Sequence, residues 1–178
     1  MGNEVKFSGN VPVFNTDGQL AFCLPTCGDE CSHAPSISGC GGTIPKYIKA
    51  TWSGITDCGG GECSPVASGG SVVMECVLWI YNLWQYTETG LLVDMNFSGS
   101  GGGFARVGTG NPFSNTCFKH VFTAGEECTC SGSVTNDYAV GDCDCNLPLE
   151  KECGHGGTFV WVTCDSLGNE CDCEITAP

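Results

Sequence analysis

The chain is short of positive charge: five lysines and one arginine, Arg106, stand against 20 acidic residues in 178, giving a formal net charge of −14. Nucleic-acid binding neutralises phosphates with clustered Lys and Arg, so this composition argues against a nucleic-acid partner. Docking on anionic lipid heads is disfavoured for the same reason. Charged residues of both signs make up only 15% of the chain, too few to decorate long solvent-facing helices. Long apolar runs are missing as well. The longest, Val72 to Trp84, has 13 residues and includes Glu75, too short and too polar to span a bilayer. The opening MGNEVKFSGNVPVF has Glu4, Lys6 and Ser8-Gly9-Asn10 where a signal peptide would need an apolar core, so neither a signal peptide nor membrane insertion is expected.

The spellings of familiar chemistry are also missing. No two cysteines stand as Cys-x-x-Cys, which removes the usual zinc-ribbon, thioredoxin and c-type haem patterns. Cys23, Cys27 and Cys31 have a spacing that matches no familiar iron–sulfur motif. There is no Gly-x-Ser-x-Gly, no phosphate-cradling loop and no His-Glu-x-x-His. Only three histidines, His33, His120 and His155, are available as bases or ligands. Twenty acids could hide a glycosidase pair, but no motif supports an active site, and the expectation is a protein that is not an enzyme and carries no cofactor.

What the chain does have is sulfur and glycine: 16 cysteines and 27 glycines. Cysteine at this density marks a disulfide scaffold or a metal protein. The spread of cysteines along the whole chain and the scarcity of histidine favour disulfides. All 16 are candidates: Cys23, Cys27, Cys31, Cys40, Cys58, Cys63, Cys76, Cys117, Cys128, Cys130, Cys143, Cys145, Cys153, Cys164, Cys171 and Cys173. The pairs Cys128/Cys130, Cys143/Cys145 and Cys171/Cys173 place two sulfurs on one face of a strand. Each must therefore reach other segments, as a double staple or, alternatively, as part of a Cys₄ zinc site.

Hydrophobic periodicity points to strands. Ile48, Ala50 and Trp52 alternate with Tyr47, Lys49 and Thr51, followed by a turn over Ser53–Asp57. Val72–Trp84 reads as one core strand, with helix as the alternative at that length. Tyr86–Gly90 reads as a turn. Leu91, Val93, Met95 and Phe97 share a face opposite Leu92, Asp94 and Asn96. Ser98–Gly103 reads as a loop, with strands at Phe104–Val107, Phe118–Phe122 and Thr158–Cys164. Turn signals every 8 to 15 residues or so have the rhythm of a sandwich or jelly roll. The expected architecture is all-β: a disulfide-stapled β-sandwich or jelly-roll-like domain over 43–178, preceded by an extended arm and cysteine-rich linker over 1–42.

Two further groups are candidate sites. Asp142, Asp144 and Asn146 open like a calcium loop, but Leu147 and Cys153 occupy the positions where an EF-hand needs Gly and Glu. An irregular calcium site there, or one using Asp165, Asp172 and Glu174, stays open beside the reading of a solvated acidic loop. Trp52, Trp79, Tyr81, Trp84, Tyr86 and Trp161 could line a sugar platform, although such rings more often pack a core.

The stretch VKFSGNVPVFNTDGQLAFC (5–23) is similar to the starts of small structural proteins of tailed phages and prophages. IPKYIKATWSGITDC (44–58) resembles an element of cysteine-rich β proteins from phages and environmental bacteria. This resemblance implies a non-enzymatic protein at a virion surface or in another extracellular assembly: a capsid decoration, fibre or tail-associated protein. Its partners would be copies of itself and other structural proteins. The arm offers Phe7, Val11, Val13, Phe14, Leu20 and Phe22 as assembly contacts, since so few apolar residues cannot offset the entropy of ordering it alone. The alternative is a secreted calcium-dependent adhesion or glycan-binding module.

Overall fold

The computed structural model describes residues 45–78, 83–98, 102–110, 113–123, 131–136 and 151–171. Eleven strands and one helical turn lie within them: β1 (Tyr47–Ser53), β2 (Thr56–Asp57), α1 (Ser64–Ala67), β3 (Gly70–Leu78), β4 (Leu83–Glu88), β5 (Gly90–Ser98), β6 (Gly102–Gly110), β7 (Phe113–Thr123), β8 (Ser131–Thr135), β9 (Lys151–Glu152), β10 (Gly154–His155) and β11 (Thr158–Cys164). The chain is all-β, as its periodicity requires.

Eight strands form one antiparallel sheet in the order β8-β11-β1-β3-β4-β5-β6-β7, curled until it is nearly a barrel. The two layers expected of a sandwich are the two halves of this continuous sheet. β7 meets β11, the strand next to the other end, through aromatic rings: Phe118 of β7 stacks on Phe159 of β11 at 5.7 Å, and Phe122 meets Trp161 edge-on at 5.6 Å. The ring of His120 on β7 is 2.8 Å from the Thr135 carbonyl of β8 through Nδ1. Curling of this kind follows from the inherent twist of strands, and it shelters the edges of the sheet.

Alternation sets the core. Ile48, Ala50 and Trp52 on β1, Met74 on β3, Trp84 on β4, Val93 and Met95 on β5, Ala105 and Val107 on β6 and Phe159 and Trp161 on β11 point inward and are buried. Full burial of one such side chain contributes about 1.5–3 kcal/mol. Glycine makes room for the tryptophans. A Cβ on Gly132 would lie 2.1 Å from the Trp161 ring, and one on Gly70 would lie 2.4 Å from the Trp52 ring.

Several boundaries differ from the sequence reading. Val72–Trp84 is not one strand: β3 ends at Leu78 and β4 starts at Leu83, with Cys76 opposite Trp84. A 13-residue apolar run satisfies two neighbouring core strands as well as one long one, and periodicity cannot tell them apart. The Tyr86–Gly90 turn shrinks to the corner at Thr89, because β4 continues to Glu88 and Gly90 (φ +87°) opens β5. The Ser98–Gly103 loop and the Phe104–Val107 strand are likewise redrawn. β5 runs through Ser98, and β6 extends from Gly102 to Gly110, its glycines held by ladder bonds from both neighbours. The helical turn α1 and the strands β8, β9 and β10 were not foreseen. The arm, residues 1–42, lies outside the described residues.

Candidate contact surface

One end of the curled sheet is closed by a loop built on Asp57. Its Oδ1 accepts the backbone N–H groups of Gly59 (2.8 Å) and Gly61 (3.0 Å), and its Oδ2 accepts that of Cys63 (2.6 Å). The Gly61 bond leads the effects that hold this carboxyl below its ordinary value; desolvation, next in size, opposes it, and the bonds from Cys63, Gly59 and Ser64 add to the lowering. Gly59 and Gly61 have φ of +100° and +82°, which glycine adopts without the cost of a Cβ. The loop delivers Cys63 and Val66 into the core, and Trp52 Nε1–H donates to the Val66 carbonyl at 3.1 Å.

A disulfide locks this end. Cys63 and Cys117 are bonded across 54 residues with Cα atoms 5.5 Å apart, and both are fully buried. Cys117 precedes Phe118, which already points inward, so strict alternation would turn the cysteine outward. The register slips here: Val107 faces Phe118 while Gly108 faces Thr116. Cys117 is the extra residue of a β-bulge, and the bulge re-aims it into the core. The segment 151–155 then straps this end. β9 runs parallel to the start of β7 and β10 pairs with β2, while Cys153 N–H donates to Thr116 O and Cys58 N–H to Cys153 O.

Cys58, Cys76 and Cys171 are also disulfide-bonded, and Cys153 and Cys164 are buried. The other nine candidates, Cys23, Cys27, Cys31, Cys40, Cys128, Cys130, Cys143, Cys145 and Cys173, lie outside the described residues. So do the possible calcium ligands Asp142, Asp144, Asn146, Asp172 and Glu174, and the assembly residues Phe7, Val11, Val13, Phe14, Leu20 and Phe22. Among the described residues no group of three His, Cys, Asp or Glu side chains could hold a metal ion, and no helix is long and apolar enough to cross a membrane.

The described tryptophans are core residues. Trp52, Trp84 and Trp161 are at most 5% exposed, and Trp84 Nε1–H is committed to the Pro45 carbonyl at 2.8 Å. No sugar platform can be made from these three rings; Tyr86 packs against the same core, and Trp79 and Tyr81 lie outside the described residues. On β5 the second face is buried too. Asp94, 2% exposed, faces Arg106 across the ladder and accepts Nε–H at 3.0 Å and Nη2–H at 2.7 Å. The guanidinium also lies over the Phe104 ring. Such a bidentate cross-strand pair fixes the register of β5 against β6.

What remains open is the outer face of β11-β1-β3. The ladder sets Val162, Lys49 and Val73 in one row across these strands, and Val160, Thr51 and Ser71 in the next. Val160 is 42% exposed and Val77, further along β3, 53%. Thr51 and Ser71 are joined through their hydroxyls at 3.0 Å. Beyond β11 the chain turns through Asp165–Asn169. Asp165 accepts Leu167 N–H and Asn169 N–H on Oδ1 and the Asn169 amide on Oδ2, each at 2.8–2.9 Å. The Asn169 side-chain bond is the main cause of its lowered pKa. The turn leans on Val73, which a Cβ on Gly168 would approach to 3.1 Å, and presents Leu167 with 84% of its surface exposed.

Two of the chain's six cations, Lys46 and Lys49, belong to this side, with the Lys46 ammonium 5.1 Å from the centre of the Tyr47 ring. Glu75 of β3, exposed and opposite Tyr47, stands on the same face, so the face carries charge of both signs, with Val73, Val160 and Val162 among polar neighbours. Sequence reasoning passed over Val77, Val160 and Leu167. A signal for Val160 was present in TFVWVTC, whose apolar residues do not alternate and so fill both faces of the strand. Comparison with family models, curated proteins and solved structures gave no match.

Proposed function

We propose that this protein is a non-enzymatic structural subunit of a virion surface or other extracellular assembly, as a capsid decoration, fibre or tail-associated protein, docking through its N-terminal arm. The observation that carries the reading is the pairing of a covalently tied, tightly packed interior with large apolar side chains left exposed outside it: Val77 on β3, Val121 on β7, Val160 on β11 and Leu167 in the turn that follows. Apolar side chains left in contact with water are surface that a partner can cover. Buried disulfides suit a protein that works outside the reducing cell, each contributing about 2–4 kcal/mol. The resemblance of residues 5–23 to small structural proteins of tailed phages, and of 44–58 to cysteine-rich β proteins of phages and environmental bacteria, supports this reading.

The test is a micrograph of the native particle, with the chain located by a labelled antibody and its mass measured without reduction. Regular labelling of a particle surface and a mass lowered by two protons per bridge are expected. A dispersed soluble protein, or a chain with mostly reduced thiols, overturns the assignment.

A further inference from the structure

We draw no further inference here: the strongest candidate, the surface patch on the outer side of β11 and the turn after it, where Val160 and Leu167 stand exposed among polar and charged neighbours, carries none, because nothing in the structure shows what covers it.

Discussion

The loops at Asp57 and Asp165 are each organised by one carboxylate that gathers N–H groups from the next few residues, and each contains a glycine at positive φ. Their surroundings differ. The Asp57 loop is tied by the Cys63–Cys117 bridge, by Thr109 Oγ1–H donating to the Glu62 carbonyl at 2.6 Å, and by the strap at 151–155. The Asp165 loop is held by the isolated bridge of Cys164 with Glu170, by Cys171 N–H donating to Thr163 O, and by leaning on Val73. The same local device builds the plug of a core in one place and lifts a bare leucine into solvent in the other. A carboxylate can shape a loop by itself, but packing decides whether the loop becomes interior or surface, because Cys171 at the end of the second loop is disulfide-bonded as well.

The largest expected effect is on the tied loop. C63A/C117A should lower stability by about 2–5 kcal/mol, read from denaturant midpoints. Hydrogen exchange should accelerate across residues 57–68 and leave 165–169 as it was. Equal acceleration in both loops would mean that they do not differ in this way.

A smaller contrast comes from adding one methyl group to each end. A Cβ at Gly154 would lie 2.4 Å from the Cys117 carbonyl oxygen, which is backbone and cannot swing aside. G154A should therefore cost about 1–3 kcal/mol, as overpacking does. At Gly168, with φ +84° and Val73 as a yielding side-chain neighbour, G168A should cost about 1 kcal/mol, mostly backbone strain. Thermal unfolding of the two variants would show G154A melting lower; the reverse order would undo the comparison.

The smallest effect is on acid stability. Both aspartates are held below their ordinary value of 3.8 in the folded chain, Asp57 chiefly by Gly61 N–H and Asp165 chiefly by Asn169. In the unfolded chain they take up protons at higher pH. Their contribution is thus fully present above about pH 4 and is lost as pH falls through the folded pKa. D57N and D165N should each flatten the acid limb of the stability curve without moving its neutral plateau through titration. Urea midpoints between about pH 2 and 5 test this. An acid limb unchanged in both variants would show that these carboxylates are not the groups being protonated.

How much was legible depended on how local the cause was. Alternation picks out Ile48, Ala50 and Trp52 on β1 and groups Val93 with Met95 on β5, and all five are buried; β11, apolar on both faces, carries no such signal for Phe159 and Trp161. That Cys63, Cys117 and Cys58 enter bridges was foreseeable from cysteine density. The pairing of Cys63 with Cys117 was not, because it depends on a bulge that turns Cys117 inward and on a fold that brings together two positions 54 apart in the sequence. The division of Val72–Trp84 into β3 and β4 escaped periodicity because both strands are core-facing and equally apolar.

By itself the sequence determined that the chain is β-built, sulfur-rich and acidic, since composition and a period of two act residue by residue. Only the tertiary structure decided that the sheet curls until β7 meets β11, that Asp94 lies buried against Arg106, and that Val160 and Leu167 face outward together. Each of these requires residues far apart in the chain to share one place, and their meeting is fixed by strand order and register, which no local pattern encodes.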